Sequence, residues 1–227
     1  MPHYSGGDNL EVMTDAVNYN KFLLSLIHDE ARIDDRIIDF GAGIGTFAIA
    51  LRRSGYGIQC IEPDEHNSAL IAADGIPVTP SLTEIPDASI DLLYSFNVLE
   101  HIPSDEDTLQ LFYRKLKSTG KLLVYVPAFP VLFSSMDRKV GHCRRYTRSE
   151  LVRKVRAAGF QVTKCRYADC AGFFATLLYK IAGSKSGEIN RKTVILYDRY
   201  IFPISRTADV AFGKLFGKNL VITARRP

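Results

Sequence analysis

Three glycines at alternate positions mark the stretch of the chain best suited to bind a ligand. Gly41, Gly43 and Gly45 follow the short apolar run 37–40 and precede a helical pattern that starts at Thr46. Glycine lets backbone approach a ligand closely because it has no Cβ. The first turn of a helix also presents N–H groups that bind polar or anionic atoms. A strand, a tight loop and a helix in this order predict a nucleotide-binding site.

The glycine spacing and the next strand narrow the choice of ligand. A dinucleotide fingerprint requires a third glycine at the position where Thr46 stands. Glu62 ends the predicted strand 57–61 and lies 17 residues after Gly45. Its carboxylate is therefore expected to accept hydrogen bonds from the two hydroxyls of a ribose. For the glycine loop alone, a plain strand-to-helix turn stays open as the alternative.

Two histidines and an arginine pair could act on a second substrate. His101 follows the predicted strand 90–96, and His142 lies in a long segment, 127–146, after the next strand. An imidazole can accept a proton, and the planar fork of an arginine binds carboxylate or phosphate bidentately. We expect His101 and His142 to be catalytic. The expected substrate-binding residues are Asp137, Arg144, Arg145 and Tyr146. Purely structural roles, a contact at a helix start and a solvated loop, stay open for both groups.

Alternating strand and helix patterns surround these residues and predict an α/β fold. We expect a seven-stranded, mostly parallel, doubly wound sheet whose last strand is antiparallel. A helical insert is expected between strands six and seven. The chain, 1–227, reads as one domain: a leader at 1–13, an N-terminal helix within 14–31, a cofactor-binding core at 36–168, the insert at 170–218 and the last strand at 219–225.

The composition is that of an ordinary globular protein, with 46% apolar and 24% charged residues. The formal net charge is only +4, but segment 135–166 holds ten Lys/Arg against Asp137 and Glu150. This excess indicates either solvated helix faces or an anionic substrate or surface. The cysteines, Cys60, Cys143, Cys165 and Cys170, form no metal-ligand pattern, so no metal site is predicted. No signal peptide or membrane-length apolar run is visible, and a cytoplasmic location is expected.

Three blocks of the chain together resemble the class I S-adenosylmethionine-dependent methyltransferases. They are 39–46, Glu62-Pro63 and 95–102. The last is similar to an N-x-L-E-H element of the branch that includes the ubiquinone-biosynthesis methyltransferases. The resemblance implies S-adenosylmethionine as cofactor and S-adenosylhomocysteine as product. It implies the following cofactor-binding residues: Gly41, Gly43 and Gly45 for the methionine part, Asp39 for the loop or the amino group, Glu62 for the ribose, and Pro63, Ser81 and Asn97 nearby. Tyr19 would reach the ligand from the N-terminal helix.

The implied reaction is methyl transfer to a small-molecule acceptor, anionic or lipid-linked. The insert is aromatic and basic, which favours an apolar cap, a dimer interface or peripheral contact with a membrane or a lipid-linked substrate. No nucleic-acid partner is expected. Two other classes were weighed: a non-catalytic sensor of S-adenosylmethionine, and a nicotinamide-dependent oxidoreductase, which Thr46 and the closing strand disfavour.

Overall fold

The computed structural model describes residues 12–182 and 190–227, so most of the predicted leader and the loop within the insert lie outside the described residues. The strands are β1 (Ile37–Phe40), β2 (Ile58–Ile61), β3 (Val78–Thr79), β4 (Ile90–Phe96), β5 (Leu116–Pro127), β6 (Gln161–Ala168) and β7 (Asn219–Arg225). The helices are α1 (Val17–Glu30), α2 (Thr46–Arg53), α3 (Glu65–Ala73), α4 (Asp105–Lys115), α5 (Ser135–Lys139), α6 (Arg148–Ala157), α7 (Cys170–Ala182), α8 (Arg191–Leu196) and α9 (Phe202–Phe212). A π-helical turn, Tyr197–Ile201, joins α8 to α9.

The seven strands form one sheet in the order β3-β2-β1-β4-β5-β7-β6. β1 pairs in parallel with β2 and β4, whereas β7 runs antiparallel to both β5 and β6. The predicted sheet and its reversed last strand are therefore confirmed. The order reverses at β1 and β4, and ligands of open α/β sheets bind at the carboxyl ends of the strands beside such a point.

Two apolar cores cover the two faces of the sheet, because alternate residues of a strand point to opposite sides. In β5, Leu122 and Val124 pack with α4 and α6, whereas Leu123 and Tyr125 pack with α1 and Phe202. Helix α1 buries Phe22, Leu23, Leu26 and Ile27. The N-terminal helix is thus part of the layer that supports the carboxyl edge of β1 and β4.

The insert between β6 and β7 stands at this same edge. β6 ends at Ala168 and β7 begins at Asn219, and these two residues are opposite each other in the sheet. The predicted insert consists of α7, α8, the π turn and α9 in its described part. The segment after β5 is more regular than predicted. It contains a 3-10 turn at Pro130–Leu132 and helix α5, whose N-terminus is stabilised by a capping box of Ser134 and Asp137.

Candidate active site

The glycine loop has a backbone conformation that residues with a side chain rarely adopt. Gly41, Gly43 and Gly45 have φ angles of +78°, +55° and +81°, a region that residues with a Cβ rarely enter. A Cβ on Gly41 would lie 2.5 Å from Cγ2 of Val98, in the segment that leaves β4. The loop is therefore held against the end of the neighbouring strand, with helix α2 starting directly after it.

Glu62 fixes this loop from the end of β2. Its Oε2 accepts a hydrogen bond of 2.7 Å from the Gly43 N–H, and its Oε1 accepts one of 3.0 Å from the Asp64 N–H. The residue is buried, and this burial raises the pKa of the carboxyl. The side chain predicted to bind a ribose thus stands at the loop, and it also orders the loop's backbone.

Asp39, at the end of β1, carries an unsatisfied buried acceptor. It is 3% exposed, and its Oδ2 has no hydrogen-bond partner in the part of the chain that the structure describes. Burial raises the pKa of this carboxyl to about 7, and the nearby charge of Glu62 adds to the shift. Such an orphaned acceptor is costly, and a cationic or N–H-bearing group of a ligand would satisfy it.

The structure brings Tyr19 and Asn97 together at the carboxyl end of β4. Asn97 is exposed and has a φ of +55°, which asparagine tolerates better than most residues. Burial raises the pKa of the Tyr19 hydroxyl to about 12, and the side chains of Asn97 and Tyr125 lie beside it. The Tyr19 ring packs edge-on against Phe202 at a centroid distance of 5.5 Å. Helix α1 and the insert therefore meet beside Asn97.

The last two predicted cofactor residues lie beyond β2 and β3. Pro63 is exposed directly after Glu62. Ser81 is half-buried, and its hydroxyl caps a short 3-10 turn by accepting a hydrogen bond of 3.2 Å from the Thr83 N–H. Both stand along the edge of the sheet that carries the glycine loop, although the Ser81 hydroxyl has a local partner.

The methyltransferase domain family matches residues 15–164 of the chain. The chain belongs to this family. It is 39% identical over 72 residues to an uncharacterized methyltransferase of Mycobacterium sp. (strain JLS), a match that covers 30% of this chain and spans only 29% of that relative's length.

Two solved structures share the fold. An S-adenosylmethionine-dependent methyltransferase from Thermotoga maritima superposes with a TM-score of 0.63 at 17% identity, covering 97% of this chain and 95% of that one. Phosphoethanolamine N-methyltransferase 2 of Haemonchus contortus, in complex with S-adenosylmethionine, gives a TM-score of 0.60 at 17% identity over 92% of this chain and 52% of that one.

S-adenosylmethionine is the cofactor of this fold, and the residues present fit it. The glycine loop offers backbone, and Glu62 offers a buried carboxylate. Asp39 offers the oxygen Oδ2, which has no hydrogen-bond partner among the described residues. The predicted membership of the methyltransferases is confirmed. The narrower ubiquinone-biosynthesis branch stays a prediction.

The two predicted histidines, His101 and His142, are in contact. The rings of His101 and His142 meet edge-on with their centroids 4.6 Å apart. Burial lowers the pKa of His101 to about 4, and the neighbouring His142 adds to the shift. His101 is therefore neutral near pH 7. His142 is oriented through its Nδ1, which lies 2.8 Å from Oδ1 of Asp137.

Both arginines of the predicted substrate-binding group have protein partners, and their contact with a substrate stays a prediction. Arg144 forms an ion pair of 2.8 Å with Asp105 and donates to the Pro103 carbonyl. The buried Arg145 donates to Asp137 Oδ1 at 2.7 Å and to the Ala128 carbonyl. Although burial by itself would raise the pKa of Asp137, His142 and Arg145 hold it well below its usual range.

Tyr146 and Asp137 are buried and have internal partners as well, and their contact with a substrate also stays a prediction. Tyr146 is fully buried, and its hydroxyl donates to Asp105 Oδ2 at 2.8 Å. The same carboxylate receives Lys154 Nζ at 2.6 Å. Asp137 is 1% exposed and forms the base of the loop that carries His142. These buried residues therefore support the segment that carries His142 from the interior of the protein.

One residue that sequence reasoning passed over, Glu100, lies at the centre of this group. It is fully buried, and neither of its carboxylate oxygens has a hydrogen-bond partner within residues 12–182 and 190–227. Burial raises the pKa of Glu100 to about 8. The sequence signal for this residue was the Glu100-His101 pair in the segment that follows β4. Its burial could not be predicted, because the residues of segment 137–145 that surround Glu100 are distant in the sequence.

Proposed function

We propose that the protein transfers a methyl group from S-adenosylmethionine to a small acceptor that is carried by a lipid and presented at an anionic membrane surface. The methyl transfer itself is supported by the family match and by the fit of the glycine loop, Asp39 and Glu62 to the cofactor. The observation that supports the acceptor class is an exposed apolar surface on the insert.

The cofactor, when bound, supplies an electrophilic methyl group on a sulfonium sulfur. The task of the protein is then mainly alignment, which can contribute about 7–11 kcal/mol to the barrier. Gly41, Gly43 and Gly45 would hold the methionine part, and Asp39 its amino group. Glu62 would bind the ribose. Tyr19 and Asn97 would lie beside the reacting end, with His101 and His142 acting on the acceptor.

The exposed apolar surface is made of side chains that fall on one face of α7 and at the end of α9. On α7, Phe174, Leu178 and Ile181 follow each other at spacings of four and three residues, which places them on one side of a helix. Leu178 is 66% exposed. The Phe174 ring is 5.5 Å from that of Phe216, which in turn contacts Phe212. The two helices therefore share one apolar surface.

This surface also carries positive charge. In the described part of the insert both acids, Asp198 and Asp209, are buried. The exposed charged side chains there are Lys180, Arg191, Lys192, Arg199 and Lys214. Exposed apolar groups bordered by Lys and Arg are the signature of a surface that binds anionic membranes. No helix among residues 12–182 and 190–227 is long and apolar enough to span a membrane.

The position of this surface links it to the chemistry. The insert begins after β6 and ends before β7, at the carboxyl edge where the glycine loop and Asn97 lie. Lys180 on α7 contacts the carbonyl of Val131, an exposed residue in the turn that follows β5. A lipid-borne acceptor that enters beside α7 would therefore arrive near the histidine pair.

The test is a transfer assay with methyl-labelled S-adenosylmethionine and two fractions of the same cells, an organic extract and an aqueous extract. The expected result is a labelled product in the organic fraction, with Glu62→Gln strongly reduced. Label confined to water-soluble products would contradict the acceptor class. Binding of S-adenosylhomocysteine without transfer to either fraction would favour the sensor, and binding of NADH alone would favour the oxidoreductase.

Flotation with vesicles tests the surface separately. Wild-type protein is expected to float with vesicles that contain phosphatidylglycerol and not with pure phosphatidylcholine. Burying one leucine side chain is worth about 1.5–3 kcal/mol, so Leu178→Glu should weaken vesicle binding at least about tenfold. Leu70→Glu is the matched control, since Leu70 is an exposed leucine on α3, outside the insert. Equal loss in both variants would refute the role of the insert.

A further inference from the structure

We infer that Glu100, His101 and His142 form a binding site for one divalent first-row transition-metal ion, which holds an acceptor oxygen on the acceptor side of the methyltransferase domain. One ligand atom from each of the three side chains lies within 4.8 Å of the other two. Nε2 of His142 and Oε1 of Glu100 are 3.7 Å apart. Two atoms bound at about 2.1 Å to the same metal ion are separated by a comparable distance.

The burial of Glu100 is the first reason to place a cation there. Its carboxylate is fully buried without a hydrogen bond from any described residue. A buried carboxylate is very costly unless a cation or donors compensate it. Lys154 pairs with Asp105, and Arg145 donates to Asp137, so neither of these nearby cations forms an ion pair with Glu100. A metal ion shared with two imidazoles would supply the missing partner.

The surroundings of His142 are the second, independent reason. Metal-binding histidines usually donate their other ring N–H to a carboxylate, which fixes the ring and the tautomer. Asp137 Oδ1 accepts such a bond of 2.8 Å from Nδ1, so that Nε2 is directed toward Glu100. Asp137 is itself fixed by Arg145 Nε and by the Ser134 N–H. This support orients one nitrogen of His142 and would make it a better ligand.

The backbone also joins the two segments that supply the ligands. The Cys143 N–H donates to the Glu100 carbonyl at 2.7 Å, and the Cys143 thiol contacts the His101 carbonyl at 3.5 Å. The loop after α5 is therefore anchored to the segment after β4. A site built on such anchored segments needs only small side-chain movements to close around an ion.

The donor set indicates the kind of metal. Two imidazoles with one carboxylate suit zinc, iron or manganese, whereas magnesium prefers oxygen ligands alone. Three protein ligands leave coordination positions for an acceptor oxygen. A nitrogen bound to a metal cannot also accept a proton. His142 would therefore act as a ligand. The ion would lower the pKa of an acceptor hydroxyl, whose proton would pass to solvent. The oxygen would then take the methyl group, and S-adenosylhomocysteine would leave. This consequence for catalysis rests on the proposed methyl transfer, whereas metal binding itself does not.

The experiment measures metal content and affinity on tag-free, full-length protein. After stripping with a chelator and dialysis against Zn²⁺, Mn²⁺, Co²⁺ or Mg²⁺, elemental analysis is expected to find one transition-metal ion per chain and no Mg²⁺. His142→Ala, His101→Ala and Glu100→Gln should each lose the ion. Asp137→Asn, which removes only the support, should weaken binding about 10–100-fold. His66→Ala is the matched control on the exposed face of α3 and should keep it.

Two further measurements keep the result decisive. The visible spectrum of the Co²⁺ form should show no thiolate charge-transfer band and should be unchanged in Cys143→Ser. Circular dichroism identifies any variant that loses the ion because it is unfolded. No ion on the wild-type chain, or equal loss in His66→Ala, overturns the site. Metal binding without methyl transfer would refute the proposed function alone. Transfer by metal-free protein would refute the activation of the acceptor by the ion, whereas the metal content alone decides the site.

Discussion

The close contact between the glycine loop and Val98 gives the sharpest prediction. In Gly41→Ala the new Cβ would lie 2.5 Å and 2.9 Å from the two Cγ atoms of Val98, at a φ of +78°. Gly75→Ala is a matched control, because Gly75 has a φ of +71° and no atom of the other described residues lies within 4 Å of its Cβ position. The control therefore carries the backbone cost without the overlap.

The expected magnitudes follow from these two terms. A left-handed backbone costs an L-residue about 1–2 kcal/mol, which the smaller entropy of the unfolded alanine chain offsets by about 0.4–1 kcal/mol. Gly75→Ala should thus lower the free energy of unfolding by about 1 kcal/mol. The overlap at Gly41 adds about 1–3 kcal/mol, for a total of about 2–4 kcal/mol. Val98→Ala removes both overlapping atoms, so the double variant should recover most of this excess.

Urea unfolding followed by far-ultraviolet circular dichroism is the appropriate assay, since the chain has no tryptophan. Slopes against urea must agree among the variants for the free energies to be comparable. Calorimetry with S-adenosylhomocysteine should show weaker binding for Gly41→Ala than for Gly75→Ala. If Gly41→Ala is no more destabilised than Gly75→Ala, or if Val98→Ala restores nothing, the packing of the loop against β4 is not what shapes it.

Four other predictions concern three acidic residues. Glu62→Gln replaces an acceptor of the Gly43 and Asp64 N–H groups, so its affinity for S-adenosylhomocysteine should fall by about 1.5–3 kcal/mol in calorimetry, with Glu65→Gln unchanged. With the pKa of Asp39 at about 7, affinity should rise about tenfold from pH 6 to pH 8 as the carboxyl ionises, and an equal rise in Asp39→Asn would contradict this. That pKa is raised in the folded protein. The unfolding free energy of unliganded wild type, relative to Asp39→Asn, should therefore fall as the pH rises from about 4 to about 7. Asp198→Ala removes the acceptor of two first-turn N–H groups of α1 and should cost about 0.5–2 kcal/mol in urea unfolding, a loss that Asp34→Ala should not reproduce.

The sheet and the cofactor side of the site could be predicted because their signals are local. Gly41, Gly43 and Gly45 require left-handed backbone, and that requirement is visible in the residue types themselves. Glu62 follows at a distance that one helix and one strand fill. The order of strand and helix patterns then leaves few topologies, since parallel strands need crossovers of one hand.

The group of residues around His101 and His142 was predicted less well, because its contacts join residues that are far apart in the sequence. The sequence predicts Arg144 as an anion-binding residue because its partner Asp105 lies 39 positions earlier in the chain. In the structure, a guanidinium nitrogen of Arg144 is 2.8 Å from Oδ1 of Asp105. His101 and His142 were singled out separately, and nothing in their spacing showed that their rings touch. The role of Glu100 depends on its burial, which no local pattern reports.

The bond between Asp198 and helix α1 has a consequence for how the molecule is made. Asp198 holds the N–H groups of Asn18 and Tyr19, and Asn18 is separated from it by 180 residues. The glycine loop, Glu62 and β4 all leave the ribosome before this carboxylate does. A nascent chain therefore has a nucleotide-binding half-site long before Tyr19 is fastened beside Asn97. Stable retention of the cofactor should begin only after the π turn that carries Asp198 has been synthesised and has bound helix α1.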